Sequence, residues 1–300
     1  MHSGILLGLS AALGWGLADF MARFASRRVG AHRTLHYMQL FGFIMLTVCL
    51  AATGHWNRYF PAAGRDAWAW AALAGLLNTF SGLALYRSFE VGVLALVAPI
   101  AASYPVLTVM LSLESGERLT PPHAVGVAAA IVGVILAALT FSSPATGNNS
   151  GIEDSTAHHR KHLLRGVPWA LAAALGFGLL FWVLGFRVMP VFGGFASVWI
   201  IRLTTFATLT ILVMPLRQSA AVPRGSTLWL IIGTGFMDTA AFVANNLALK
   251  HAEVAIASVL SSLYGAVTVL LAALFLRERL EKTQWAGVAL IFLGVALVSI

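Results

Sequence analysis

Long apolar runs, separated by short stretches of charged or turn-forming residues, extend along the whole chain of 300 residues. A helix needs about 20 apolar residues to cross a hydrocarbon core about 30 Å thick. The runs predict ten membrane-spanning helices, called spans 1 to 10, at residues 3–25, 34–53, 67–89, 91–113, 122–142, 166–186, 190–214, 227–249, 252–276 and 283–300. The pattern therefore predicts an all-α, polytopic membrane protein with ten transmembrane helices.

Composition agrees with this prediction and excludes a water-soluble fold. Hydrophobic residues make up 59% of the chain and charged residues 10%, whereas soluble domains carry about 25% charged residues. The net charge of +8 would suggest a nucleic-acid partner in a soluble protein. Here the basic residues collect in short loops, so membrane topology explains them and no nucleic-acid partner is expected. Cys49, the single cysteine, lies in an apolar run and is expected to pack there.

The two halves of the chain resemble each other. Five spans lie on each side of a polar linker, which predicts a first repeat at 1–142, a linker at 143–165 and a second repeat at 166–300. Tyr104-Pro105 recurs 160 positions later as Tyr264-Gly265. Other matched sets are Gly14-Trp15-Gly16 with Gly176-Phe177-Gly178, Gly75, Asn78 and Thr79 with Gly235, Asp238 and Thr239, and Glu117-Arg118-Leu119 with Glu278-Arg279-Leu280. The chain is therefore predicted to be an internal tandem repeat.

An odd number of spans in each half predicts that the second repeat enters the membrane from the opposite side. Inverted repeats are typical of secondary transporters, whose site lies near the midplane between the repeats. Most of the 19 lysines and arginines lie in the linker and in loops on the linker's side. By the positive-inside rule, the linker is predicted to be cytoplasmic and both termini to lie outside.

These motifs resemble the drug/metabolite transporter superfamily, in particular its EamA-type members with two tandem five-helix repeats. The resemblance is strongest from Leu247 to Val295 and returns at Gly116-Glu117-Arg118-Leu119 in the first half. It implies a cavity lined mainly by spans 1, 3, 4, 6, 8 and 9. It also implies a transporter, commonly a bacterial inner-membrane exporter of amino acids, other metabolites or toxic compounds. Members with both termini cytosolic are known, against the orientation that the charges predict.

Helix breakers beside aromatic residues indicate where such a cavity lies. Glycine or proline inside a membrane helix is tolerated where the helix lines a cavity or packs closely. The first alternative places Trp15, Phe177, Tyr104 and Tyr264 around a central cavity, and the second is close packing of the helices through their small residues. The uncharged polar residues of the spans can bind a polar solute or neighbouring helices; those predicted to bind substrate are Asn78, Asn245 and Ser261.

Three charged residues within the predicted spans are the candidates for coupling and for substrate charge. Asp238 lies near the centre of span 8, where a charge costs at least about 2.5 to 3.5 kcal/mol, and Arg202 lies near the middle of span 7. Either they form an ion pair, or Asp238 is a proton or cation coupling site while Arg202 attracts a substrate carboxylate. Asp19, four residues before Arg23, is either half of an intrahelical pair or a second coupling contact.

The sequence favours a secondary transporter, most simply an exporter of a small organic solute by alternating access, with proton coupling as an option. It contains no phosphate-binding loop for ATP, and no cofactor or metal is expected; the linker histidines His158, His159 and His162 fit a solvated basic segment better than a metal site. A channel or lipid-moving protein remains the alternative, and a membrane-embedded enzyme is disfavoured because its catalytic cluster is missing. The partners expected are the solute and membrane lipids, and the protein is either a monomer or a homodimer.

Overall fold

The computed structural model describes residues 2–52, 63–139, 164–213, 215, 219, 221–276 and 282–298. Within these ranges the chain forms α-helices, with no β-strand. The helices are α1 His2–Val29, α2 Ala31–Ala52, α3 Arg65–Val91, α4 Leu94–Ala101, α5 Pro105–Glu114, α6 Pro121–Leu139, α7 Val167–Val183, α8 Met189–Leu212, α9 Ser226–Ala248, α10 Val254–Ser262, α11 Tyr264–Leu276 and α12 Lys282–Val298. The predicted all-α, multi-pass membrane class is confirmed. Most of the linker lies outside the described residues.

Spans 4 and 9 are each broken into two helices, where the apolar pattern alone predicts one. Span 4 consists of α4 and α5, and span 9 consists of α10 and α11. The breaks fall at the matched dipeptides Tyr104-Pro105 and Tyr264-Gly265, and in span 4 the cause is that Pro105 cannot donate an N–H to the preceding turn. Each break brings a tyrosine to the middle of its span.

The boundary between spans 6 and 7 differs from the predicted one. The helical stretch Val167–Leu212 is 46 residues long, which at 1.5 Å per residue would reach roughly 69 Å, about twice the membrane core. It passes through the π-helical turn Leu184–Val188 and loses helical geometry at Gly193, whose φ is 70°. Because Pro190 lies in the first turn of α8, where proline is tolerated, the interruption comes at Gly193 rather than before α8.

The two halves have inverted orientations, as predicted. Helix α4 packs against α11, and α5 packs against α10. The first half of span 4 thus meets the second half of span 9, which requires these two equivalent spans to be antiparallel. The other contacts obey the same symmetry, since span 1 packs on span 8 and span 6 packs on span 3.

Paired glycines make matched close contacts between the halves. A Cβ at Gly14 in span 1 would lie 2.9 Å from the Cβ of Ala241 in span 8. Gly176 in span 6 likewise lies against Ser81 in span 3, the residue that corresponds to Ala241. The packing alternative weighed for these glycines is therefore realised, and it draws equivalent pairs of helices together.

Two threonine hydroxyls tie spans 4 and 9 to the spans they cover. Thr108 donates to the carbonyl oxygen of Gly178 at 2.9 Å, and Thr268 donates to the carbonyl oxygen of Gly16 at 3.4 Å. Each hydrogen bond joins one repeat to the other at an equivalent place. The midplane of the bundle is therefore built from contacts between the repeats.

The outer surface of the bundle is apolar. Ile211, Trp229 and Leu274 expose 73%, 71% and 73% of their surface, and in a membrane these faces meet lipid chains. Cys49 is also exposed, so the expectation that it packs inside the protein is wrong. The apolar run around Cys49 reflects contact with lipid rather than a buried face.

Candidate substrate cavity between the two halves

A cavity lies between the two halves, at the level of the breaks in spans 4 and 9. Its volume is about 520 Å³ when the space at its mouth is included, and its inner part, about 50 Å³, is wide enough for water. Spans 1, 3, 4, 6, 8 and 9 contribute to its wall, and so does span 2 through Leu35, Met38 and Gln39. Both repeats therefore form it, and its inner part admits a small solute.

Seven of the ten residues predicted to bind substrate or to couple transport line this cavity. They are Trp15, Asp19, Asn78, Tyr104, Phe177, Asp238 and Tyr264. The other three lie behind its wall: Arg202 beside Asp238, Ser261 beside Tyr104, and Asn245 within the bundle. The structure thus brings most of the predicted residues together, while their roles stay predictions.

Aromatic side chains belong to seven of the fifteen described residues that line the wall. The Trp15 indole lies 5.6 Å from both the Phe181 and the Phe242 ring, and 6.2 Å from the Tyr264 ring, measured between centroids. The Tyr104 ring lies 4.8 Å from that of Phe181. Edge-to-face and tilted rings at these distances attract one another, so the wall holds its shape without a bound solute.

Local sequence explains why these rings reach the cavity. Gly14 and Gly16 pack against spans 8 and 9, so span 1 lies close to both, and the Trp15 side chain between them enters the space that remains. The Tyr104 ring stacks on that of Tyr264 with centroids 6.4 Å apart. The Tyr104 hydroxyl donates to the carbonyl of Ser258 at 2.9 Å and shares a hydrogen bond with Ser261 at 2.7 Å.

Arg202 and Asp238 form an ion pair in the second half. The Nη2 atom of Arg202 lies 2.6 Å from Oδ2 of Asp238, and the two side chains are 1% and 15% exposed. Nη1 of Arg202 donates to Oε1 of Gln39 at 2.8 Å, and the guanidinium carbon lies 5.3 Å from the centroid of the Phe242 ring. This geometry is the ion-pair alternative expected for two charges so deep in a membrane.

Asp19 differs from Asp238, because it lines the cavity with a carboxyl oxygen that is not paired among the described residues. The residue is 5% exposed, and within the described part of the chain its Oδ2 atom has no hydrogen-bond partner. It lies within electrostatic range of Asp238 and of the Tyr264 hydroxyl. A buried acceptor without a donor is costly, and the role of Asp19 in coupling stays a prediction.

Several residues of the wall were not predicted from the sequence. They are Leu35, Met38, Gln39, Gly82, Leu85, Tyr86, Phe181 and Phe242. Leucine and phenylalanine in a membrane span carry no signal of their own. The internal repeat provides a signal, because Phe181 in the second repeat corresponds to Asp19 in the first and Phe242 corresponds to Gly82. Aligning the repeats and including the counterpart of each suspected residue finds Phe181, whereas Phe242 corresponds to Gly82, which was not predicted either.

The cavity reaches toward one end of the bundle. Leu85 and Tyr86, near the end of span 3, line it, whereas the equivalent residues of span 8, Asn245 and Asn246, are 0% exposed. Neither amide atom of Asn245 has a hydrogen-bond partner among the described residues. Leu85 and Tyr86 are themselves only 6% and 3% exposed, so the cavity extends further toward one side of the bundle than toward the other.

Glu117, just after the end of span 4, connects the two repeats. Its carboxylate accepts hydrogen bonds from the backbone N–H groups of Val254 at 2.5 Å and Ala255 at 3.1 Å. It therefore caps α10, a helix of the other half, where a carboxylate is favoured by the helix dipole. Burial raises the pKa of Glu117, against the effect of these hydrogen bonds. Glu278 lies outside the described residues.

Inverted five-span halves around a midplane cavity define a multi-pass membrane transport protein. The sequence profile of the EamA-like transporter family matches the chain twice, over residues 2–139 and 164–300. The chain therefore belongs to the EamA-like transporter family, whose members are membrane transporters of the drug/metabolite type.

Three individual similarities agree with this. An uncharacterized protein of Methanocaldococcus jannaschii is 25% identical over 141 residues, which cover 99% of that protein but 47% of this chain, so it has the length of one half. An uncharacterized transporter of Sinorhizobium sp. is 33% identical over 96 residues, 32% of this chain and 67% of its own. A solved crystal structure matches with a TM-score of 0.73 and 20% identity, covering 99% of this chain and 96% of the other, and shows the shared fold.

Proposed function

We propose that the protein is a secondary carrier that moves a small organic solute across its membrane by alternating access. One observation carries the proposal: the cavity between the inverted halves extends to Leu85 and Tyr86 but not to the equivalent Asn245 and Asn246, which are 0% exposed. In a channel both ends would be open at once. A carrier exchanges the two ends by rocking one half against the other.

We further propose that export is the direction of transport. Leu85 and Tyr86 lie near the end of span 3, on the same side as Arg27, Arg28 and Arg87. The positive-inside rule makes that side cytoplasmic, with the termini outside, so the described state loads solute from the cytoplasm. A bacterial inner membrane suits this orientation. The moving units are the repeats 1–142 and 166–300, joined by the linker 143–165, in a monomer or a homodimer.

Proton coupling is proposed at Asp19 rather than at Asp238. Asp238 is paired with Arg202 at 2.6 Å, whereas Oδ2 of Asp19, which lines the cavity, has no hydrogen-bond partner among the described residues. A carboxyl group that binds either a proton or the solute couples the flux of protons to the flux of solute. The Asp19→Asn variant should therefore lose uphill, pH-driven transport while it still inserts and folds. Unchanged pH-driven transport by this variant would contradict the assignment.

Cysteine labelling tests alternating access. With Cys49 replaced by serine, Leu85→Cys and Asn245→Cys are each exposed to a membrane-impermeant maleimide in right-side-out and inside-out vesicles. Leu85→Cys should react from the linker side and Asn245→Cys from the opposite side. A condition that raises one rate should lower the other, because the two ends open in turn.

The controls follow from burial. Ile231→Cys, at a position that is 0% exposed within the bundle, should stay unlabelled from both sides. Asn246→Cys is the second reporter of the closed end, in case Asn245→Cys folds poorly. Labelling of both ends from one side would favour a channel, and a closed end that never reacts would contradict the carrier.

A further inference from the structure

We propose that the solute is a small organic cation, an amine or ammonium compound, held between the Asp19 carboxylate and the aromatic wall of the cavity. The inference rests on the proposed carrier function and names the chemical class of its substrate. Three observations carry it: the charge of the cavity, the arrangement of its rings and the position of Arg202.

The charge of the cavity favours a cation. Two carboxylates, Asp19 and Asp238, line it, and the guanidinium of Arg202 balances the second. Asp19 is 5% exposed and, among the described residues, has an unpartnered oxygen. A cationic N–H donor placed there would satisfy that oxygen and neutralise the net negative charge, in a region where charge-assisted hydrogen bonds are strong.

The ring arrangement fits the rest of such a cation. Trp15, Tyr264 and Phe181 lie around the space beside Asp19, with Trp15 within 6.2 Å of both other rings. Ring faces attract ammonium groups, and the attraction grows when water is excluded. The chain itself shows this contact nearby, where Arg202 lies over the Phe242 ring at 5.3 Å.

The same geometry disfavours an anion or a zwitterion. Arg202 is 1% exposed, points its Nη2 at Asp238 and donates from Nη1 to Gln39. A substrate carboxylate, which the sequence suggested as the partner of Arg202, would have to compete with Asp238 for a guanidinium that is almost wholly buried. Asn78, another polar residue of the wall, donates its amide to Thr205 at 3.1 Å. A carboxylate in this cavity would face Asp19 without a cationic partner.

The test is a matched charge series on the purified full-length protein. Phenethylamine, 2-phenylethanol, phenylacetate and L-phenylalanine share a ring and a short side chain but carry a positive, zero, negative and zwitterionic end. Binding is measured by isothermal titration calorimetry, with tetramethylammonium as a smaller cation. The proteins are the native chain, Asp19→Asn, and the control Asp66→Asn, whose carboxylate is exposed in the first turn of α3.

The expected result is that the cations bind best and that Asp19→Asn weakens phenethylamine binding by about tenfold or more, whereas Asp66→Asn changes nothing. Trp15→Leu should also weaken tetramethylammonium binding, because it removes a ring face. The proposal is overturned if neither cation binds, if phenylacetate or L-phenylalanine binds as well as phenethylamine, or if Asp19→Asn retains native affinity.

Counterflow in proteoliposomes separates this proposal from the carrier function. Saturable counterflow of L-phenylalanine or phenylacetate that Asp19→Asn leaves intact would confirm a carrier and overturn the cation. Tight, Asp19-dependent binding of phenethylamine without any counterflow would retain the site and overturn the carrier.

Discussion

Breaking the buried ion pair between Arg202 and Asp238 should destabilise the protein in a strongly non-additive way. Asp238→Asn leaves the guanidinium, 1% exposed, beside the Gln39 oxygen but without its counter-charge, and a loss of about 3 to 5 kcal/mol is typical for such a group. Arg202→Met leaves Asp238, which is 15% exposed to the cavity. Water there can hydrate the carboxylate, so we expect a loss of about 1 to 3 kcal/mol.

The double variant should cost much less than the sum of the two. It leaves neither charge behind, and the introduced methionine side chain would fill the volume of the arginine stem, so the coupling free energy should be at least about 2 kcal/mol. At a charge separation of about 4 Å, an effective dielectric constant of about 20 gives an attraction of about 4 kcal/mol, which is consistent with that bound.

Unfolding by sodium dodecyl sulfate in mixed micelles, followed by the fluorescence of the nine tryptophans, measures each free energy. The control cycle uses Arg87 and Glu90, whose ion pair is also 2.6 Å long but is 45% and 26% exposed. Its coupling should be below about 1 kcal/mol. Additive losses at Arg202 and Asp238, or equal coupling in the two cycles, would refute the reasoning.

Two further predictions concern packing and capping. Gly14→Leu should destabilise the protein by about 2 kcal/mol or more, since its Cβ would lie 2.9 Å from that of Ala241 and overpacking typically costs about 1 to 3 kcal/mol. The control is Gly64→Leu, where a Cβ meets nothing within 4 Å. Equal thermal stability of the two variants would contradict the contact. Because burial raises the pKa of Glu117, its stabilising contribution is full below the ordinary value of 4.5 and is lost as pH rises through the raised pKa. Glu117→Gln should remove that part of the pH dependence of the apparent melting temperature above pH 4.5, and an unchanged profile would contradict it.

Hydropathy and internal symmetry predict most of this fold, because both depend on many residues at once. Hydropathy alone would make spans 4 and 9 single helices, since an apolar run reads the same whether one helix or two fill it, but the matched breakers Pro105 and Gly265 indicate the breaks. The apolar pattern misplaces the interruption after span 6. Met189-Pro190 looks like a helix end, yet proline is tolerated in a first turn, and Gly193 with its positive φ supplies the break.

The sequence predicts the site residues that stand beside helix breakers, and it misses those whose residue type is common in any membrane helix. Trp15, Tyr104 and Tyr264 stand out through their glycine or proline neighbours and do line the cavity. Phe181 and Phe242 look like any membrane phenylalanine. Whether Arg202 faces the solute or Asp238 depends on the rotation of two helices, which no spacing in the sequence fixes.

The ion pair in the second half also affects which conformation the protein adopts without solute. If two inverted repeats were identical, the states open to either side of a symmetric membrane would be equivalent arrangements of equal free energy. Each place where the halves differ removes part of that degeneracy. Asn78 faces Thr205, whereas its counterpart Asp238 holds Arg202. In the proposed alternating-access cycle, this exchange of an amide for a buried charge pair biases the side to which the unloaded protein stays open.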